Sequence, residues 1–211
     1  MNLFKLLNRF EKKIKSVPVG PYYGSSANEL DNFFCGIGKA EISASTITFT
    51  NYPFEPSLVY PNKSIKAEHI TAICLEAYPP LVRINEEVVF ISKEQAADLK
   101  TFLEDNSIPT FKPSRNWDWL LEPFVDTAHT KEEEQRIIDL LVKNGVTESE
   151  INNIRKEVEK QMLKYNFDTM LWDWAGLGLL DVLSAMRVKY GKEQFADFYQ
   201  RAMEIELRGA K

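Results

Sequence analysis

Apolar residues along this chain keep two different rhythms, and the change between them predicts the architecture. Leu3, Leu7, Phe10 and Ile14 recur at steps of four, three and four, with Phe4 and Leu6 widening the stripe. Lys5, Arg9, Lys12, Lys13 and Lys15 occupy the other side, so residues 1–16 read as an amphipathic helix. That face docks either on the rest of the chain or on a partner or membrane surface. Val17-Pro18-Val19-Gly20-Pro21 ends the helix, because proline lacks an N–H and biases its predecessor away from the α region.

From about Asp31 to Ser92 the period falls to two. Phe33-Phe34-Cys35-Gly36-Ile37, Glu41 to Thr50, Ile65 to Ala77, Val82-Arg83-Ile84 and Val88-Val89-Phe90-Ile91 read as strands. Asn51-Tyr52-Pro53, Tyr60-Pro61-Asn62, Pro79-Pro80 and Asn85-Glu86 punctuate them. Six or seven short strands this closely spaced predict hairpins, hence an antiparallel sandwich or partly closed barrel. Ser92-Lys93-Glu94-Gln95 then reads as a capping box opening a helix with Ala96, Leu99, Phe102 and Leu103 on its apolar face.

The stretch Ile70-Thr71-Ala72-Ile73, Val82-Arg83-Ile84, Val88-Val89-Phe90-Ile91 and Leu99-Lys100-Thr101-Phe102-Leu103 resembles the last strands and closing helix of the pleckstrin-homology-like superfold. The resemblance spans residues 28–106 and concerns architecture. It implies phosphoinositide binding where the first strands carry several cations, but Cys35-Gly36-Ile37-Gly38-Lys39-Ala40-Glu41 sets one lysine beside one glutamate. Phe102 stands where many members carry a tryptophan. Both departures turn the expectation from lipid capture toward protein recognition or plain structure.

Ile108-Pro109-Thr110-Phe111-Lys112-Pro113-Ser114 reads as a two-proline hinge, beyond which residues 114–211 keep a helical period. Thr130-Lys131-Glu132-Glu133 and Thr147-Glu148-Ser149-Glu150 are capping boxes. The first opens a helix with Ile137, Ile138, Leu140 and Leu141 inward, ending at Gly145. The second precedes Ile151, Ile154, Val158, Met162 and Tyr165, one stripe over about five turns. Asp168 is placed to cap a third helix from Thr169 to Tyr190, and Gly191 separates it from a fourth carrying Phe195, Phe198, Tyr199, Ala202 and Ile205. The expected fold is α+β: an antiparallel PH-like module capped by one helix, then an all-α bundle.

Composition narrows the role. Lys and Arg number 26 against 31 Asp and Glu, a net charge of −5, which disfavours nucleic-acid binding. Cys35 and Cys74 lie in apolar runs as small hydrophobes, which suits a reducing cytoplasm. No run reaches the roughly 18 apolar residues of a membrane span. Gly176-Leu177-Gly178 is expected inside the third helix, permitting close packing. His129 with Glu132 and Glu133 is read as a helix first turn favoured by the dipole, so no metal is expected, and nothing points to a cofactor.

All four tryptophans fall in two copies of one tripeptide, Trp117-Asp118-Trp119 and Trp172-Asp173-Trp174, with Asp126 and Asp181 at matching offsets. Exposed, they would anchor a partner; buried, they would lock the helices together. Asp173 and Asp181 sit in an apolar stretch and are the buried-acid candidates, with Arg136, Arg155, Arg187 and Arg201 as expected counter-ions. The expectation is a non-enzymatic interaction or adaptor protein whose partner is another protein. The alternatives are a peripheral membrane protein using Leu3, Phe4, Leu7, Phe10 and Ile14, and an enzyme working through Asp173 and Asp181.

Overall fold

The computed structural model describes residues 33–125, 130–169 and 176–210. The amphipathic segment with Leu3, Phe4, Leu7, Phe10 and Ile14 lies outside the described residues, as do His129, Trp172, Asp173 and Trp174. The described chain is mixed α and β, two three-stranded antiparallel sheets followed by helices, and the sheets do not close into a barrel. No helix among the described residues is long and apolar enough to cross a membrane.

The first sheet comprises β1 (Lys39–Ile42), β2 (Thr46–Thr50) and β3 (Asn62–Lys66), in that spatial order. Ile47 stands opposite Ile42 and Ile65, so one face carries the branched and aromatic residues while the alternating threonines of β2 face out. The second sheet, β4 (Ala72–Cys74), β5 (Leu81–Ile84) and β6 (Glu87–Phe90), is buried along nearly its whole length, as a sheet covered on both faces must be. Asn85 in the left-handed region makes the tight β5–β6 turn.

The strand expected at Phe33–Ile37 does not form. Gly36 and Gly38 both take positive φ, and a Cβ on Gly38 would lie 2.7 Å from the Thr50 carbonyl oxygen, so the chain comes too close to β2 for a regular strand with side chains. The helix expected from Ser92 also begins later. Residues 93–95 make a 3-10 turn, Ser92 bonds Glu94, and Gln95 donates to the Ala40 carbonyl instead of closing a capping box. Helix α1 (Ala96–Asp105) then buries Leu99 and Phe102 and lies against β1.

The two-proline segment is anchored to the second sheet. Ile73 donates its N–H to the Pro109 carbonyl at 2.9 Å, and its own carbonyl accepts the Phe111 N–H at 3.2 Å, covering the outer edge of β4. Five helices follow: α2 (Asn116–Leu121), α3 (Lys131–Lys143), α4 (Glu148–Thr169), α5 (Leu179–Lys189) and α6 (Lys192–Leu207). The capping boxes at Thr130 and Thr147 both form. The predicted stripe of α4 is buried at all five positions, and so is that of α6.

The third predicted helix is shorter than its pattern suggested. Residues 176–178 are not helical, and α5 starts at Leu179 because the Asp181 carboxylate accepts the Gly178 N–H at 2.8 Å and fixes the helix start there. Gly176-Leu177-Gly178 therefore precedes the helix instead of lying inside it. The core is one continuous apolar cluster from Phe33 to Ile205 that includes both sheets and every helix.

One buried amide ties the chain's end to this core. Asn116 is fully buried; its Nδ2 donates to the carbonyls of Ile205 at 2.7 Å and Arg208 at 3.0 Å, and its Oδ1 accepts from Asn144 at 2.8 Å. The Arg208 carbonyl lies just past the end of α6, and the Ile205 carbonyl otherwise takes only the Arg208 N–H, at 3.3 Å. Asn116→Ala should lower stability by about 1–3 kcal/mol, since the Arg208 carbonyl and the Asn144 amide lose this partner and the Ile205 carbonyl keeps only a long bond to the Arg208 N–H. Urea denaturation checks it: an unchanged m-value with a loss under about 0.5 kcal/mol would contradict this reading.

Candidate functional site

The loop of residues 51–61 between β2 and β3 alternates between core and surface. Tyr52, Phe54, Ser57 and Val59 point inward and are buried, while Leu58 and Tyr60 remain 42% and 41% exposed. Phe54 is the hub: its ring lies 5.7 Å from Tyr52, 6.1 Å from Phe90 of β6, and 6.4 and 6.2 Å from Phe195 and Tyr199 of α6. A loop with aromatic side chains sunk at alternate positions is held like a strand, without needing strand hydrogen bonds.

Polar contacts fix it further. Glu87, buried at the start of β6, accepts the Ser57 hydroxyl, the Leu58 N–H at 3.0 Å and the Tyr199 hydroxyl at 2.8 Å. Three donors from two segments converge on one carboxylate, which offsets the cost of removing it from water. Tyr52 accepts the Phe90 N–H at 3.2 Å. Burial pushes both the Tyr52 and the Tyr199 hydroxyl well above the usual tyrosine range, so both stay protonated. At the rim, Lys192 pairs with Glu55. Leu58 and Tyr60 are thus two outward apolar side chains on a fixed base.

The sequence-selected residues lie elsewhere. Trp117 is 1% exposed, its Nε1–H donates to the Ala202 carbonyl at 3.0 Å, and its ring sits 6.1 Å from Phe198, so it is a core residue joining α2 to α6. Trp119 is half-buried, and its carbonyl accepts from Arg155 at 3.2 Å. Asp181 is half-buried with its carboxylate turned inward to the Gly178 amide and to the Tyr165 hydroxyl, 2.9 Å away. Burial pushes Asp181 above the ordinary carboxylate range, against the pull of those two donors.

Among the described residues no arginine pairs with Asp181. Arg155 pairs with Glu134 and Arg201 with Glu157, while Asp181 takes an amide and a phenol, which compensate a carboxylate at the start of a helix without a second buried charge. Its two bonds secure the start of α5 against α4. The cysteines are free thiols. Burial pushes both upward, and the half-buried Cys35 sulfur lies 3.4 Å from the Ser184 hydroxyl. Among the described residues no group of acids, cysteines or histidines is arranged to hold a metal ion.

The residues that sequence reasoning missed are Glu87, Ser57, Tyr199 as a hydroxyl donor, and Glu206. Glu87 follows Asn85-Glu86 and reads as part of a turn, although its strand position places it opposite Ile84. Glu206 follows Tyr199 and Met203 at helical spacing, which is the one signal that it faces inward. No family model, curated protein or solved structure matches the chain.

Glu87→Gln turns an acceptor into a group with its own donors facing three others. It should cost about 2–3 kcal/mol and raise chymotrypsin cleavage after Leu58 by tenfold or more. Tyr199→Phe should cost about 1 kcal/mol, and the double variant should lose less than the two singles together. Strict additivity, or unchanged cleavage in Glu87→Gln, would show that the carboxylate does not hold the loop.

Proposed function

We propose that this chain is a non-catalytic interaction protein whose partner is another protein, and that the 51–61 loop carries the contact through Leu58 and Tyr60. One observation carries the reading: two large apolar side chains are presented to solvent by a loop whose intervening residues are locked into the core. A loop already held in place gives up little conformational entropy on binding, which is what turns a small apolar contact into affinity. Tyrosine and leucine together offer an apolar body with a polar tip, suited to a shallow apolar pocket rimmed by hydrogen-bond acceptors.

The net charge of −5 and the single lysine in the Cys35–Glu41 stretch favour a protein over a nucleic acid or a phosphorylated headgroup. Within this reading β1 to β6 with α1 form a pleckstrin-homology-like module, a view supported by two antiparallel sheets followed by one helix lying against β1. The helices after it, read as a bundle, brace that module through α6. Two unpaired cysteines with protonated thiols suit the reducing cytoplasm.

A photo-crosslinking residue at position 58 or 60 should yield, in native lysate, a discrete adduct that is missing when the residue is placed at exposed Lys100. Leu58→Ser with Tyr60→Ser should weaken binding of the captured protein at least tenfold with the melting temperature unchanged. Identical adduct patterns from positions 60 and 100 would count against the loop. So would full affinity in the double variant.

A further inference from the structure

Two glutamates lie in the seam between α6 and the strands, and they are treated differently. Glu87 has three donors, as described. Glu206, in the last turn of α6, is 6% exposed; its carboxyl has neither a hydrogen bond nor an ion pair among the described residues, and its oxygens keep a narrow contact with solvent. The same turn is where the chain is most elaborately fastened: Asn116 holds the carbonyls of Ile205 and Arg208, and Arg208 reaches Glu150 at 2.8 Å. An acid without a protein partner therefore sits in a turn where Asn116 holds the carbonyls of Ile205 and Arg208 on either side of it.

The groups facing Glu206 make ionisation harder. From α2 comes the Asp118 carboxylate, paired with Arg115 at 3.0 Å and adding a like charge. From β4 comes the Cys74 thiol, itself pushed upward by burial and neutral. On α6 itself Tyr199 is engaged with Glu87, and just past its end Arg208 is turned to Glu150. None of these supplies a cation to Glu206.

We propose that Glu206 makes the seating of the C-terminal turn of α6 proton-dependent: the turn docks on α2 and the second sheet with the carboxyl protonated, and loosens when that proton is lost. Burial first, and Asp118 second, push Glu206 up to about 8 from an ordinary 4.5. The seated turn holds the proton more tightly than the released one. Below about pH 4.5 both forms are protonated and seating is strongest. Between there and about pH 8 each release gives up a proton, so release becomes about tenfold easier per pH unit, and above 8 it levels off. The device therefore works across the neutral range, in the direction of loosening as pH rises.

Hydrogen exchange followed by mass spectrometry on the full chain tests this. Between pH 5 and 7.5, protection of amides in residues 203–209, corrected for intrinsic exchange, should fall about tenfold per pH unit. Protection in residues 151–162 of α4 should stay flat. Glu206→Gln, neutral and of equal size, should abolish the slope, and Glu206→Leu should do the same. Cys74→Ala should keep it. A flat wild-type profile, an unchanged slope in Glu206→Gln, a slope lost in Cys74→Ala, or a parallel fall in α4 would each overturn the proposal.

Discussion

Everything in this molecule leans on the seam where α6 lies along β6. Phe54, Phe90, Phe195 and Tyr199 fill it with aromatic rings in edge and tilted contact, and Glu87 is buried among them. Aromatic area supplies the attraction, which is large but tolerant of small shifts. The carboxylate removes that tolerance. Its donors come from the loop and from α6, so it is compensated only when loop, strand and helix are all in register. A buried, fully bonded charge adds little net stability, yet every misaligned arrangement leaves it exposed to the full desolvation cost. In this way a polar group inside an apolar seam chooses among packings that hydrophobicity alone would leave nearly equal.

The opposite case lies about two turns along the helix from Tyr199. Glu206 has burial without compensation, and so holds its proton well into the neutral range. The neighbouring backbone is fastened by Asn116, whose three bonds join α2, the end of α6 and the α3–α4 connection. Fastening and frustration therefore meet in one turn. The bonds from Asn116 define where the turn sits, and the unpaired acid sets how firmly it sits there. A lysine or arginine within reach would have made the position permanent, at the expense of any response to protons.

Helices were the legible part of this sequence. Thr147 with Glu150, and the run Ile151, Ile154, Val158, Met162 and Tyr165, specify α4 because cap and stripe are both local and agree. Phe33–Ile37 misled because its apolar content is real, but Gly38 must pass against the Thr50 carbonyl, a constraint set by a partner strand that local composition cannot announce. Trp117 was read as either a partner anchor or a lock between helices, and it lies in the core as the second reading has it. The loop was the least legible. Tyr52, Pro53, Tyr60 and Pro61 signal a break in the strands, and nothing nearby reveals that Phe54 inserts between β6 and α6, the latter well over a hundred residues away along the chain. Asp181 was found because its apolar setting is sequential; Glu206 was passed over because its setting is made by α2 and β4.

The contrast between acids also bears on where function lies. A carboxyl pushed upward by burial is a familiar sign of acid catalysis, and Asp181 carries that sign. Its geometry assigns a different task. Both oxygens are occupied, one by the amide that begins α5 and one by a phenol from α4, so the group that would have to give or take a proton is holding two helices together. The perturbation comes with a structural contact, and the same holds for Tyr165, whose hydroxyl is raised by burial and by the Asp181 carboxylate it donates to. Leu58 and Tyr60 present the reverse case: both keep about two fifths of their surface exposed on a loop whose alternate residues are buried. Glu87 and Asp181 are both committed to the chain's own architecture, and the seam that Glu87 organises is also what keeps the 51–61 loop still.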